Sequence, residues 1–276
     1  MSKKIAFIGV GNMAAATLAG ITAQNKDMSD IILYNRHREK IEKYRQCGAF
    51  IADSLRQAVE AADYVLLCVK PQNFSDILPQ LSSCDNVSSK VFVTMAAGIT
   101  MKTVSDAAMC APVVRVMPNT PMLIGKGVIA ACRNESTTDE DFKFVCDMFA
   151  LSGNVIRIDE SEMNRIISVT GSSPAYVFMM IRAMYEGACA QGLLCDDDAH
   201  GLTQKELLDS ICDTIIGAAE LMKAEDKTPD EQIATVASKG GTTERAIAEL
   251  ERYGFDAAII SAMKKCTERA DELGKN

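Results

Sequence analysis

The chain has 276 residues, 48% hydrophobic and 24% charged, with a net charge of −8 and two histidines. This balance fits one large or two ordinary globular domains, and the acidity argues against nucleic acid or an anionic membrane as the main partner. His37 and His200 are too few for a histidine-built metal cluster or a Ser-His-Asp triad, so no metal site is expected.

The ten cysteines include no C-x-x-C pair, and Met1-Ser2-Lys3-Lys4 leads directly into an apolar strand too short for a signal-peptide core. Reduced thiols in a cytoplasmic protein are expected.

Short apolar runs alternate with helical patterns over the first 158 residues. Strands are expected at 4–8, 31–34, 64–69, 91–95, 113–117, 127–131 and 154–158, and helices at 12–24, 38–46, 54–61, 73–81, 100–109 and 138–151. This rhythm predicts an α/β fold with an N-terminal Rossmann-type parallel sheet. Near-continuous apolar strands such as YVLLCV fit a sheet covered on both faces.

The first turn, FIGVGNMAAATLAG, matches G-x-G-x-x-A with Gly9, Gly11 and Ala14 at the three special positions. Gly9 allows the tight turn, Gly11 lets a pyrophosphate approach the backbone, and Ala14 permits close helix–strand packing. Its place between a first strand and a helix marks it as a dinucleotide cradle. NAD sites usually end the second strand on an acidic residue, whereas this strand ends in Asn35, Arg36 and His37. A guanidinium pairs with a 2′-phosphate that a carboxylate would repel, so NADP is favoured. Further strand ends carry CVKPQ (68–72), MAAGIT (95–100) and RVMPNTP (115–121) toward the edge where such sheets bind ligands.

The strand rhythm stops at Glu160, which divides the chain into residues 1–159 and an all-α second domain at 160–276. Helical patterns cover 162–193, 203–225, 230–237, 243–252 and 255–273. The longest apolar run, 174–194, is interrupted by Arg182 and Glu186, so it reads as a buried helix rather than a membrane span. Pro174, after Thr170-Gly171-Ser172-Ser173, should kink or break the first of these helices. In SKGGTTERAIAELE (238–251), Thr242 or Thr243 can cap a helix, and the same turn can offer its free N–H groups to a small anion.

No lysine occurs between Lys143 and Lys205, so the helix between the domains offers no ammonium acid. β-Hydroxyacid dehydrogenases of similar layout carry a lysine there. A reductase lacking a strong acid or base suits a substrate already activated by protonation, such as an iminium, for which hydride transfer needs only positioning.

IGVGNM, CVKPQ, MAAGIT, RVMPNTP, TGSSPAYVF and SKGGTTERAI together, in order and spacing, resemble the Δ1-pyrroline-5-carboxylate reductase family nearly end to end. The resemblance implies reduction of 1-pyrroline-5-carboxylate to proline with NADPH or NADH. It also implies a Rossmann domain followed by a helical dimerisation domain, in homodimers that often assemble into decamers. It would set Val10, Asn12 and Met13 around the pyrophosphate, Asn35 and Arg36 near the adenosine ribose or its 2′-phosphate, and Val69, Lys70, Pro71, Ala96 and Ala97 toward the nicotinamide. Ser54 substitutes for a usual asparagine in the cofactor site. Glu160, Gly241, Thr242 and Thr243 would contact the substrate, with Glu160 and Thr243 as the catalytic residues, Thr243 near the ring nitrogen, and the turn facing the partner's nucleotide domain. Lys239 stands where the family usually has proline, and Ser173 where it has glycine; both bear on substrate preference. Two rival readings are a reductase of another small imine or hydroxyacid, and an NADP-binding regulator without turnover.

Overall fold

Among the described residues, eight strands form one sheet in the order β3-β2-β1-β4-β5-β6-β7-β8. The computed structural model describes residues 3–24, 27–193 and 202–274. The elements of the first half run β1 (Ile5–Ile8), α1 (Asn12–Gln24), β2 (Ile31–Tyr34), β3 (Phe50–Ile51), α2 (Leu55–Glu60), β4 (Tyr64–Leu67), α3 (Phe74–Leu81), β5 (Val91–Thr94), α4 (Met101–Ala107), β6 (Val113–Met117), β7 (Gly127–Arg133), α5 (Asp139–Ala150) and β8 (Gly153–Arg157). β1 pairs in parallel with both β2 and β4, so the strand order reverses there and opens a crevice beyond the strand ends.

The central strands β1, β4, β5 and β6 are buried on both faces, as their apolar runs imply. Ala6 and Ile8 of β1 join one core with Val65 and Leu67 of β4. Ile5 and Phe7 join the other with Tyr64 and Leu66. This period of two gives each face its own helix-covered layer. Each fully buried Leu or Phe contributes about 1.5–3 kcal/mol.

Three local features differ from the sequence expectations. β7 runs antiparallel to β6, because the turn Thr120–Ile124 reverses the chain with Gly125 at φ +73° instead of a crossover helix. The expected helix at 38–46 is two 3-10 segments, Arg38–Lys40 and Glu42–Cys47, neither with a buried residue to hold an amphipathic face. β3, with only two residues, pairs with β2 at the sheet edge and was not among the expected strands.

The second half comprises α6 (Met163–Ile166), α7 (Ser173–Ala190), α8 (Gln204–Ala224), α9 (Pro229–Val236), α10 (Thr242–Arg252) and α11 (Phe255–Leu273). The expected break near Pro174 occurs slightly earlier, as a π-helical turn over Ile167–Gly171 in which the Ser172 N–H donates to the Ile167 carbonyl at 2.7 Å. Pro174 then falls in the first turn of α7, where its missing N–H is tolerated.

Packing divides the chain into residues 1–174 with 264–276, and residues 175–263. The expected boundary at 159/160 marks the end of the sheet. Packing keeps 160–174 with the first unit, where the Asn164 amide donates to Asp271 at 2.8 Å and Ser172 lies 3.2 Å from the Cys266 thiol. Among the described residues of the second unit, Ala188, Leu207 and Ile211 form the buried core. Among the described residues no helix is long and apolar enough to cross a membrane, and no group of three metal-ligating side chains occurs. The nine described cysteines are free thiols; Cys195 and His200 lie outside the described residues.

Candidate active site

The crevice at the strand reversal begins at the end of β1. Gly9 has φ +86°, and a Cβ there would lie 2.7 Å from Val69 Cγ1, so both backbone conformation and space demand glycine. The Gly9 N–H donates to the Tyr34 carbonyl at 2.7 Å, drawing the first turn against the end of β2. A Cβ on Gly11 would meet nothing within 4 Å, leaving open space over the start of α1. The first turn of α1 holds no acidic residue, so its positive end faces that space uncompensated. Val10 and Met13 pack partly buried against the second core, while Asn12 is exposed as the first residue of α1. These features fit a pyrophosphate.

A cleft of about 180 Å³ continues along the ends of β1, β2 and β4. Of the expected cofactor residues, Gly9, Asn35, Arg36 and Val69 line it, together with Asp76 of α3. The Asn35 amide donates to the His37 carbonyl at 3.1 Å, and Arg36 pairs with Asp76 at 3.1 Å. Arg38 is engaged elsewhere, with Asp53 at 2.6 Å and Glu42 at 3.5 Å. Ser54 is the N-cap of α2, where its Oγ accepts from the Gln57 N–H at 3.1 Å.

Lys70, exposed, and Pro71 open a short 3-10 turn beyond β4. Ala96 is buried and Ala97 half-buried in the loop after β5. Gly98 follows at φ +78°, and a Cβ on it would lie 2.7 Å from the backbone of Leu273. The end of α11 therefore supports this loop from beneath. Burial pushes the Cys68 thiol well above its ordinary value, so it is no thiolate nucleophile.

Glu160 belongs to the same unit. Its Oε1 accepts the Met101 N–H at 2.7 Å and an Arg115 Nη1–H at 3.2 Å. Arg115 is 3% exposed and its Nη2 donates to Asn164 Oδ1 at 3.2 Å. Asn119 of RVMPNTP is buried between two backbone partners, donating to the Thr170 carbonyl and accepting from the Val128 N–H, both at 2.9 Å.

Gly241, Thr242 and Thr243 lie in the second unit, at the start of α10. Neither threonine caps the helix. Gly241 is the N-cap, with no side chain to serve as one, and the threonines are the first two helical residues. α8 and α9, by contrast, are closed by the capping boxes Thr203/Glu206 and Thr228/Glu231. Gly240 adopts φ +75°, and its N–H donates to the Glu244 carboxylate at 2.7 Å, which braces the turn.

Asp76 and Asn164 stand outside every motif read from the sequence, and Arg115 enters there only as the first residue of RVMPNTP. Asp76 carried a weak signal, an acidic residue close behind the CVKPQ strand end, but its approach to Arg36 spans 40 residues.

A family model described as pyrroline-5-carboxylate reductase dimerisation matches residues 160–273, and one described as NADP oxidoreductase, coenzyme F420-dependent, matches 4–98. The chain is 36% identical over 276 residues to the pyrroline-5-carboxylate reductase of Corynebacterium melassecola, covering 99% of each. It is 33% identical over 279 residues to that of Escherichia coli, covering 100% of each. The crystal structure of Plasmodium falciparum pyrroline carboxylate reductase with NADP bound shares the fold, with a TM-score of 0.87 at 24% identity over 99% of this chain and 98% of that one. The chain belongs to the pyrroline-5-carboxylate reductase family.

Proposed function

We propose that this protein is an NAD(P)H-dependent oxidoreductase that reduces the C=N bond of 1-pyrroline-5-carboxylate to give L-proline, the last step of proline biosynthesis. The observation that carries this reading is the first turn, where glycine is demanded at Gly9 and open space stands over Gly11, on a chain whose full-length relatives are named for this activity. NADPH is the preferred hydride donor, with NADH also accepted.

The backbone from Gly9 through Val10, Gly11, Asn12 and Met13 cradles the pyrophosphate. Asn35 and Arg36 hold the ribose and its 2′-phosphate, with Ser54 beside them. Val69, Lys70, Pro71, Ala96 and Ala97 shape the nicotinamide half, where small side chains let a flat ring lie on the backbone. When bound, the cofactor supplies hydride, so the chain's task is orientation and exclusion of water.

Gly241, Thr242 and Thr243 bind the substrate. The first N–H groups of α10, with a glycine rather than a side chain at the N-cap, receive its carboxylate. The Thr243 hydroxyl lies toward the ring nitrogen and is the catalytic contact. Because Glu160 already accepts from Met101 and Arg115, we assign it to holding the loop before α4 rather than to proton transfer.

The helical unit dimerises with a second copy. Among the described residues its buried core is the small cluster Ala188, Leu207 and Ile211, while Phe178, Met179, Ile216, Val236 and Ile260 are each more than half exposed. The protein works in the cytoplasm.

The test is oxidation of NADPH on addition of 1-pyrroline-5-carboxylate, with chromatographic identification of L-proline. Oxidation matched by proline formation is expected; NADPH binding without turnover would overturn the reading.

A further inference from the structure

The cleft beyond β1 and β2 holds a pair of opposite charges that a dinucleotide would meet at its adenosine ribose. Arg36 Nη2 lies 3.1 Å from Asp76 Oδ2, and both side chains line the cleft that Gly9 and Val69 also line. Asp76 lies in the first turn of α3, where the helix dipole favours a carboxylate, and the Gln80 amide donates to its carbonyl at 2.6 Å. The pair is solvent-facing, with the side chains 74% and 58% exposed. Such a pair is weak and readily rearranged. Arg38 cannot take over from Arg36 without leaving Asp53 and Glu42.

Sites selective for NAD present a carboxylate to the ribose 2′-OH from the end of the second strand, and sites for NADP present a guanidinium to the 2′-phosphate. Here β2 ends in the guanidinium and α3 brings the carboxylate up beside it. We infer that Asp76 sets the cofactor preference of this protein. It accepts from the 2′-OH when NADH binds, and it competes with the 2′-phosphate for Arg36 when NADPH binds. The device keeps both cofactors usable and limits the advantage of NADPH. It rests on the dinucleotide reading proposed above, to which it adds the residue that tunes the choice.

The experiment titrates the full-length protein with adenosine 2′,5′-bisphosphate and with adenosine 5′-monophosphate, which differ only in the 2′-phosphate. Wild type, Asp76→Asn and Arg36→Ala are compared by calorimetry, with thermal melts to verify folding and Asp76→Ala as a second variant. Removing the carboxylate should raise the bisphosphate-to-monophosphate affinity ratio roughly two- to fivefold at ~0.1 M salt, and less as salt screens the charges. Arg36→Ala should collapse the ratio. A collapse in Arg36→Ala with no rise in either Asp76 variant overturns the role of Asp76 while leaving the NADP reading in place. An unchanged ratio in Arg36→Ala removes the 2′-phosphate assignment and the inference with it.

Discussion

Arg115, buried in the middle of β6, donates to Glu160 Oε1 at 3.2 Å, and that same oxygen accepts the Met101 N–H at 2.7 Å. One carboxylate oxygen thus joins the sheet to the first residue of α4, just beyond the MAAGIT loop. A buried guanidinium left without its counter-charge is costly, so the pair fixes the loop firmly.

Glu160→Ala should therefore lower stability by about 2–4 kcal/mol in urea unfolding, because it strands the Arg115 guanidinium. Glu160→Gln keeps an acceptor for the Met101 N–H and should cost less. Its kcat should stay within about tenfold of wild type, because no proton transfer is lost. A well-folded Glu160→Gln with a loss of about a thousandfold and an altered pH profile would instead give Glu160 an acid–base role.

Gly9 and Gly11 should separate fold from binding. Gly9→Ala combines φ +86° with a Cβ 2.7 Å from Val69 Cγ1, so it should destabilise the protein by about 1–3 kcal/mol and weaken NADPH. Gly11→Ala meets nothing in the protein and should leave the melting temperature nearly unchanged while still weakening NADPH. Equal NADPH affinity in Gly11→Ala and wild type would remove the pyrophosphate from that position.

Thr243→Ala should lower kcat/KM for 1-pyrroline-5-carboxylate and leave NADPH affinity intact. The Thr243 side chain does not cap α10, so helix stability should change little. An unchanged steady-state rate would contradict its contact with substrate.

At the opposite end of the sheet the Tyr64 hydroxyl donates to Asp141 Oδ1 at 2.6 Å and accepts from Lys3 Nζ at 2.8 Å. Burial, helped by Asp141 and opposed by Lys3, pushes the Tyr64 phenol up to about 12. Burial alone would raise the Asp141 carboxyl, but hydrogen bonds from Tyr64 and Thr138 and the Lys3 charge outweigh it and hold the group below its ordinary value. The Tyr64 contribution is complete below its unfolded value near 10 and is lost as pH rises through about 12. The Asp141 contribution is present above its unfolded value near 3.9 and is lost as pH falls through the lower folded value. Denaturation midpoints across pH should show both falls, and Tyr64→Phe should shrink the alkaline one. Identical alkaline falls in the two proteins would contradict this origin.

The sheet was legible because burial on both faces writes itself into unbroken apolar runs: YVLLCV announced β4, and FIGVGN announced β1 and its turn. The direction of β7 was not, since an antiparallel strand and a parallel one share the same apolar pattern. Local rules likewise pointed to Thr242 or Thr243 as a cap, but the backbone put Gly241 there and moved the threonines into the helix. Contacts across long sequence separations were hidden for the same reason. Arg36 to Asp76 and Arg115 to Glu160 join residues 40 and 45 positions apart, and no period or motif in the chain encodes either meeting.

Hydride transfer to the imine carbon is tested most directly with NADPH deuterated on C4, in separate preparations for each face, and 1-pyrroline-5-carboxylate. Mass spectrometry then reads the proline formed. Proline carrying one deuterium from one of the two preparations is the result expected. Unlabelled proline from both, or no proline while NADPH remains bound, would contradict the reductase reading.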